Sequence, residues 1–94
     1  MVSLFSRAEP RGTVTVKLHS LLRKEAGEGQ FACKAGSVKE VLEEVRGRYG
    51  PEVERYLRES IVMVNGRKAS DLKGTRTRLQ DGDEVAIYPR IAGG

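Results

Sequence analysis

Ser37 and Glu40 stand three residues apart at the head of an apolar stripe, Val38, Val41, Leu42 and Val45, spaced i, i+3, i+4 and i+7. A serine and a glutamate at that spacing can each take up the other's free backbone amide at a helix start, so the pattern predicts a helix opening at Ser37. Gly47 or Gly50 would close it. Glu43, Glu44, Arg46 and Arg48 fall on the opposite side and stay in water. Only one face of this helix can be buried, and what it lies on must present a flat apolar surface.

The flanking segments supply such a surface, because they read in twos. In TVTVKLHS, Val14, Val16 and Leu18 share one face while Thr13, Thr15, Lys17 and His19 share the other, the alternation of a half-buried strand. Leu21, Leu22 and a charged stretch running to Gly27 and Gly29 read as a long hairpin loop. QFACKA then alternates again, with Phe31 and Cys33 on one side. After the helix, Pro51 suits the first position of a further short helix that would pack Val53, Tyr56 and Leu57. SIVMV runs into Asn65-Gly66, the dipeptide of a tight hairpin, with RKA as its return strand. Leu72 and Leu79 are further core candidates. Asp81-Gly82 is a turn, Val85 and Ile87 point inward, and Pro89 ends the last strand. The expected architecture is α+β: a mixed sheet of four to five strands with one main helix packed on one face, a β-grasp or ubiquitin-like roll. Residues 1–12 read as a flexible N-terminal arm, 13–89 as the domain and 90–94 as a flexible C-terminal Gly-Gly tail.

Side-chain chemistry is sparse. The chain has 94 residues, one cysteine and one histidine, which suits a single domain and excludes an internal disulfide, an all-cysteine metal site and a multi-histidine site within one chain. A Cys33–His19 couple is the one thiol–imidazole pair available, and both residues read as strand positions. Gly27, Gly29 and Ala32 spell G-x-G-x-x-A, but the dinucleotide fingerprint needs a strand before it and a helix after it, whereas a strand follows here. Glu43 with Glu44, and Asp81 with Asp83, read as solvated carboxylates. No apolar run approaches the roughly 18 residues of a membrane span, no secretory signal opens the chain, and a cytoplasmic location is expected. The formal charge of +4 is mild, no basic cluster interleaved with aromatics is visible, and a nucleic-acid partner is not expected. No metal or bound cofactor is expected either.

The end of the chain has a different character. At 11 glycines in 94 residues, a closing Gly93-Gly94 pair would arise by chance roughly once in 70 such chains. Residues from Pro89 to Gly94 can extend about 20 Å beyond the sheet, with Pro89 limiting bending at the root. Lacking β-carbons, the last two residues can enter a narrow channel and align a terminal carboxylate with a reacting group. Gly94 is therefore the candidate reacting residue, through its carboxylate, and Pro89, Arg90, Ile91, Ala92 and Gly93 are the candidate partner-binding residues.

Three segments, VKLHSLLRKEAG, VNGRKA and LQDGDEVAIYPRIAGG, together resemble the small sulfur carriers of the MoaD and ThiS type, with the molybdopterin synthase small subunit nearest. The likeness spans residues 13–94. It implies a β-grasp carrier with no catalytic side chains of its own. An E1-like adenylyltransferase, using ATP and magnesium, would adenylate the terminal carboxylate, and a sulfurtransferase would convert the acyl-adenylate to a thiocarboxylate. The tail would then enter the large subunit of molybdopterin synthase. The ending departs from the commonest molybdopterin form, with Arg90 and Ala92 where that form has a second proline and a serine, while Ile91 keeps the apolar position. Thiamine synthesis, transfer-RNA thiolation, tungsten cofactor synthesis and conjugation to protein lysines remain open as outlets, as does a plain interaction module with no terminal chemistry.

Overall fold

Helix formation at Ser37 follows the local signal. In the computed structural model, which describes residues 11–90, the Glu40 amide donates to Ser37 Oγ at 3.3 Å and opens the main helix, Val38–Tyr49. The reciprocal half of the cap differs from the expectation: Glu40 Oε1 accepts from the Gly36 amide at 2.8 Å, one residue before Ser37. The same oxygen pairs with Arg11 at 3.3 Å, so one carboxylate ties the helix start to the incoming chain. Gly50 closes the helix and Gly47 lies within it. Most of the expected N-terminal arm, residues 1–10, and residues 91–94 of the expected tail lie outside the described residues.

In chain order the elements are β1 (Thr13–Leu18), α1 (Ser20–Ala26), β2 (Gln30–Lys34), α2 (Val38–Tyr49), a 3-10 turn Pro51–Val53 leading into α3 (Glu54–Arg58), β3 (Ile61–Val64), β4 (Arg67–Lys68) and β5 (Glu84–Tyr88). Short 3-10 turns at Ala69–Asp71 and Gly74–Arg76 fill the path from β4 to β5. The sheet runs β2-β1-β5-β3-β4. Its two central strands, the first and the last in the chain, are parallel, with Val16 beside Val85 and Leu18 beside Ile87. All other neighbours are antiparallel. This mixed five-stranded sheet with α2 on one face is the β-grasp arrangement.

Period-two burial fixes the inner face. Val14, Val16, Leu18, Val85 and Ile87 are sealed from solvent and meet Val38, Val41, Leu42 and Val45 from α2 in one continuous core. Burying each such side chain contributes roughly 1.5–3 kcal/mol before entropy is counted. Asn65 (φ 50°) and Gly66 (φ 84°) take the left-handed pair of angles that a two-residue hairpin between β3 and β4 requires. Gly12 serves a different need: a β-carbon there would stand 2.5 Å from the Asp81 backbone, where its own carbonyl accepts from the Ala35 amide at 3.2 Å.

Residues expected as a hairpin loop form α1 instead. Its N-cap, His19, makes no side-chain capping bond, and its first residue, Ser20, sits at φ 56°. A seven-residue helix has no local signal strong enough to declare it. Burial of Leu22, fully enclosed, holds it on the sheet. Replacing Leu22 with alanine is therefore expected to destabilise the domain by about 2–5 kcal/mol, read as a drop in the urea midpoint at constant slope. A change under about 0.5 kcal/mol, the scale of a surface loop, would contradict this role.

Candidate functional site

Because β5 is a central strand, the segment after it leaves from the middle of the sheet. Pro89 follows Tyr88 directly and is buried, while Arg90 is exposed. The strand is held on both sides up to this point: the His19 amide donates to the Ile87 carbonyl at 3.2 Å, and Ile61 of β3 stands opposite Tyr88. The imidazole of His19 stacks on the phenol of Tyr88, centroids 4.2 Å apart and planes inclined by 9°. Tyr88 remains 42% exposed and Ile61 37% exposed, so an apolar and aromatic step flanks the root of the chain end. Of the expected site residues the structure thus positions Pro89 and Arg90; Ile91, Ala92, Gly93 and Gly94 lie outside the described residues.

Sequence reading placed His19 on the outer face but not the stack. The signal was available in register: β1 and β5 alternate in phase, so the residue after Leu18 must lie beside the residue after Ile87 once the two strands pair in parallel. Nothing in either strand alone announces that pairing.

The remaining candidates resolve into structural roles. Asp81 Oδ1 accepts from the Thr13 amide at 2.9 Å. Asp83 accepts from the Gln80 amide at 2.8 Å and from Asn65 Nδ2 at 3.0 Å. Asn65 Oδ1 in turn accepts from the Glu84 amide at 2.9 Å, which clasps the β3–β4 hairpin to the start of β5. These carboxylates are occupied by turn amides and offer no free acid–base pair. Glu44 pairs with Arg48 at 3.1 Å along the wet side of α2. Gly27 and Gly29 lie between a helix and a strand, the reverse of the dinucleotide-binding order.

Cys33 and His19 do not meet. Cys33 stands beside Val14, and His19 lies five positions further along the chain, roughly 16 Å at strand rise. Burial, and then the nearby Glu44 carboxylate, push the Cys33 thiol above its ordinary range, against a smaller opposing pull from Arg48. Tyr49 is likewise held protonated, by burial and by donating its hydroxyl to Glu28 Oε2 at 2.6 Å. Alkylation of Cys33 is accordingly expected to run slower than that of a free cysteine at neutral pH and to keep accelerating above about pH 9. A rate that levelled off below about pH 8 would contradict the assignment.

Comparison with known proteins gives a consistent result. The profile of the ThiS family matches residues 16–94. Small archaeal modifier protein 3 of Haloferax volcanii is 48% identical over 33 residues, which cover 35% of this chain and 36% of that protein. The match thus spans about a third of that curated relative's length. Among solved structures, small archaeal modifier protein 1 of Methanosarcina acetivorans superposes with a TM-score of 0.80 at 26% identity, over 89% of this chain and 98% of that one. A chain of the Amycolatopsis orientalis BexX/CysO complex gives 0.73 at 30% identity, over 86% and 99%.

Proposed function

Because the chain belongs to the ThiS family of ubiquitin-like sulfur carriers and modifiers, we propose that its reacting group is the carboxylate of Gly94 and that the folded domain serves to present it. The observation that carries this reading is that the family match runs through the last residue, Gly94, beyond the strand that ends at Tyr88. A carboxylate is a poor acceptor for a sulfur nucleophile. Attack of its oxygen on the α-phosphate of ATP, with magnesium and an E1-like adenylyltransferase, expels pyrophosphate and leaves an acyl-adenylate. A persulfide from a sulfurtransferase then displaces AMP to give an acyl disulfide, and a second thiol, acting as the reductant, attacks the sulfurtransferase sulfur of that bond, so that the thiocarboxylate leaves and the two thiols end joined as a disulfide. No side chain of the carrier takes part. The domain contributes position, because Pro89 fixes where the reach of Arg90, Ile91, Ala92 and Gly93 into a partner's cleft begins.

Molybdopterin synthesis is our first choice of outlet, with a large synthase subunit as the acceptor of the tail. It is supported by D-G-D-E-V-A at the last turn and strand and by P-x-I-x-G-G at the end. A second reading is favoured by the likeness to two archaeal proteins named as modifiers: the same activated Gly94 would form an isopeptide with a protein lysine. Both readings use the same chain end and differ only in the attacking group.

Co-expression with an E1-like partner and its sulfur donor is expected to raise the intact mass by the difference between sulfur and oxygen, and deletion of Gly94 should abolish the gain. An unchanged mass alongside a competent partner would overturn the proposal. A ladder of heavier conjugates in cell extract, lost with the two glycines, would select the modifier reading over the sulfur-transfer one.

A further inference from the structure

The net charge of the chain is not spread over its surface. Residues 67–78, RKASDLKGTRTR, hold five cations and a single carboxylate, Asp71, so this segment alone accounts for the formal +4, and the other 82 residues balance to zero. The fold adds a sixth cation, Lys39, from the first turn of α2. Ser37, Lys39, Lys73, Thr75, Arg76 and Arg78 line one cleft of about 510 Å³ that contains no carboxylate. A neighbouring cleft of about 600 Å³ shares Lys73 and Arg78 and adds Arg67, with Val64, Leu72 and one carboxylate, Asp83, also in its lining.

That carboxylate is engaged by Asn65 and the Gln80 amide. The ion pairs among the described residues are Arg11–Glu40, Lys17–Glu84, Arg46–Glu54 and Arg48–Glu44, and none of them uses a cation of these clefts. The cluster is also held in place. The Arg76 amide donates to Lys73 O at 3.0 Å, the Lys73 amide to Thr77 Oγ1 at 3.0 Å, and the Val38 amide to Thr77 O at 3.0 Å, so the loop is tied to the start of α2 through buried Thr77. Like charges on a fixed loop repel one another without compensation unless an anion lies between them.

We propose that these joined clefts bind the phosphodiester backbone of a nucleic acid, without reading its sequence. Lysine and arginine heads beside the Ser37 and Thr75 hydroxyls are the donors that phosphate oxygens accept from, and several cations in a row match a strand of phosphates better than one small anion. No aromatic residue lines either cleft, so bases have nothing to stack on. The carboxylate-free cleft offers no apolar anchor of the kind a protein interface is built around. The site lies at the end of the sheet where β5 begins; the five residues of β5, roughly 16 Å of strand, separate it from Pro89. A nucleic acid held there does not cover Pro89, and this binding is independent of the terminal chemistry proposed above.

Fluorescence anisotropy with a labelled 20-nucleotide RNA hairpin and a DNA duplex of equal charge tests it across a salt series. The full chain is expected to bind at least one of them irrespective of sequence. An R76S/R78S double variant should weaken binding by about tenfold or more at low salt and flatten the log–log salt slope by about 2. An R23S/K24S variant removes the same charge from α1, at the other end of β1, and should change binding less than threefold. Equal losses in both variants, absence of binding at about 50 mM salt, or equal affinity for polyglutamate, which would mark an acidic-protein surface instead, would each overturn the proposal.

Discussion

The parallel pairing of the first strand with the last is the contact on which the other elements depend. β1 and β5 occupy the centre of the sheet and supply Val14, Val16, Leu18, Val85 and Ile87, each sealed from solvent, to the surface that α2 covers. A slip of one residue between them would turn Val85 and Ile87 outward and bring Glu84, Ala86 and Tyr88 under the helix. The register is fixed outside the strands as well, since the Gly82 amide donates to Thr13 O at 2.9 Å and the Thr15 amide to Asp83 O at 3.0 Å. These bonds close the sheet between segments about 70 residues apart, so the fold is complete only when its last strand is in place.

From that pairing the two ends of the sheet acquire different chemistry. Where β1 and β5 begin, the chain needs turns, and turn chemistry brings Asp81, Asp83 and Asn65 with their amide bonds, beside the cationic loop that docks on α2. Where they end, no hairpin joins them. The His19–Tyr88 stack and exposed Ile61 border the point at which Pro89 leads away. One strand spans both environments, and its rigidity keeps them apart.

Legibility in the sequence followed the range of the interaction. Strands β1, β2 and β5 could be read from alternation, β3 and its hairpin from the SIVMV run that ends in Asn65-Gly66, and α2 from Ser37, Glu40 and the valine–leucine stripe, because each rests on residues close together in the chain. Helix α1 could not, since Leu22 earns its helical place from a core that only the whole fold assembles. The Glu40 carboxylate went to Gly36 and Arg11 for a similar reason, as the incoming chain competes with the local cap. The distribution of charge was less legible than its sum: the whole +4 of the 94 residues lies within residues 67–78, and Lys39 comes beside that segment through the pairing of Ser37 with Arg78. The candidate reacting residue, Gly94, lies outside the described residues, so its role rests on the sequence and on the family match.

Under the proposal that the Gly94 carboxylate becomes an acyl-adenylate, the chain's own nucleophiles would compete with the sulfur donor wherever they could reach it. A thiolate within reach would capture the activated carbonyl before the sulfur donor could, and an amine would do so more slowly. Here the one thiol faces the core side of β2, beside the start of β1, and its raised pKa leaves it protonated at neutral pH. The one imidazole lies flat against Tyr88 and has no thiol partner. The imidazole thus sits at the root of the chain end, whereas the thiol, the stronger competitor, stands beside Val14 at the far end of β1, an arrangement that fits the terminal activation proposed above.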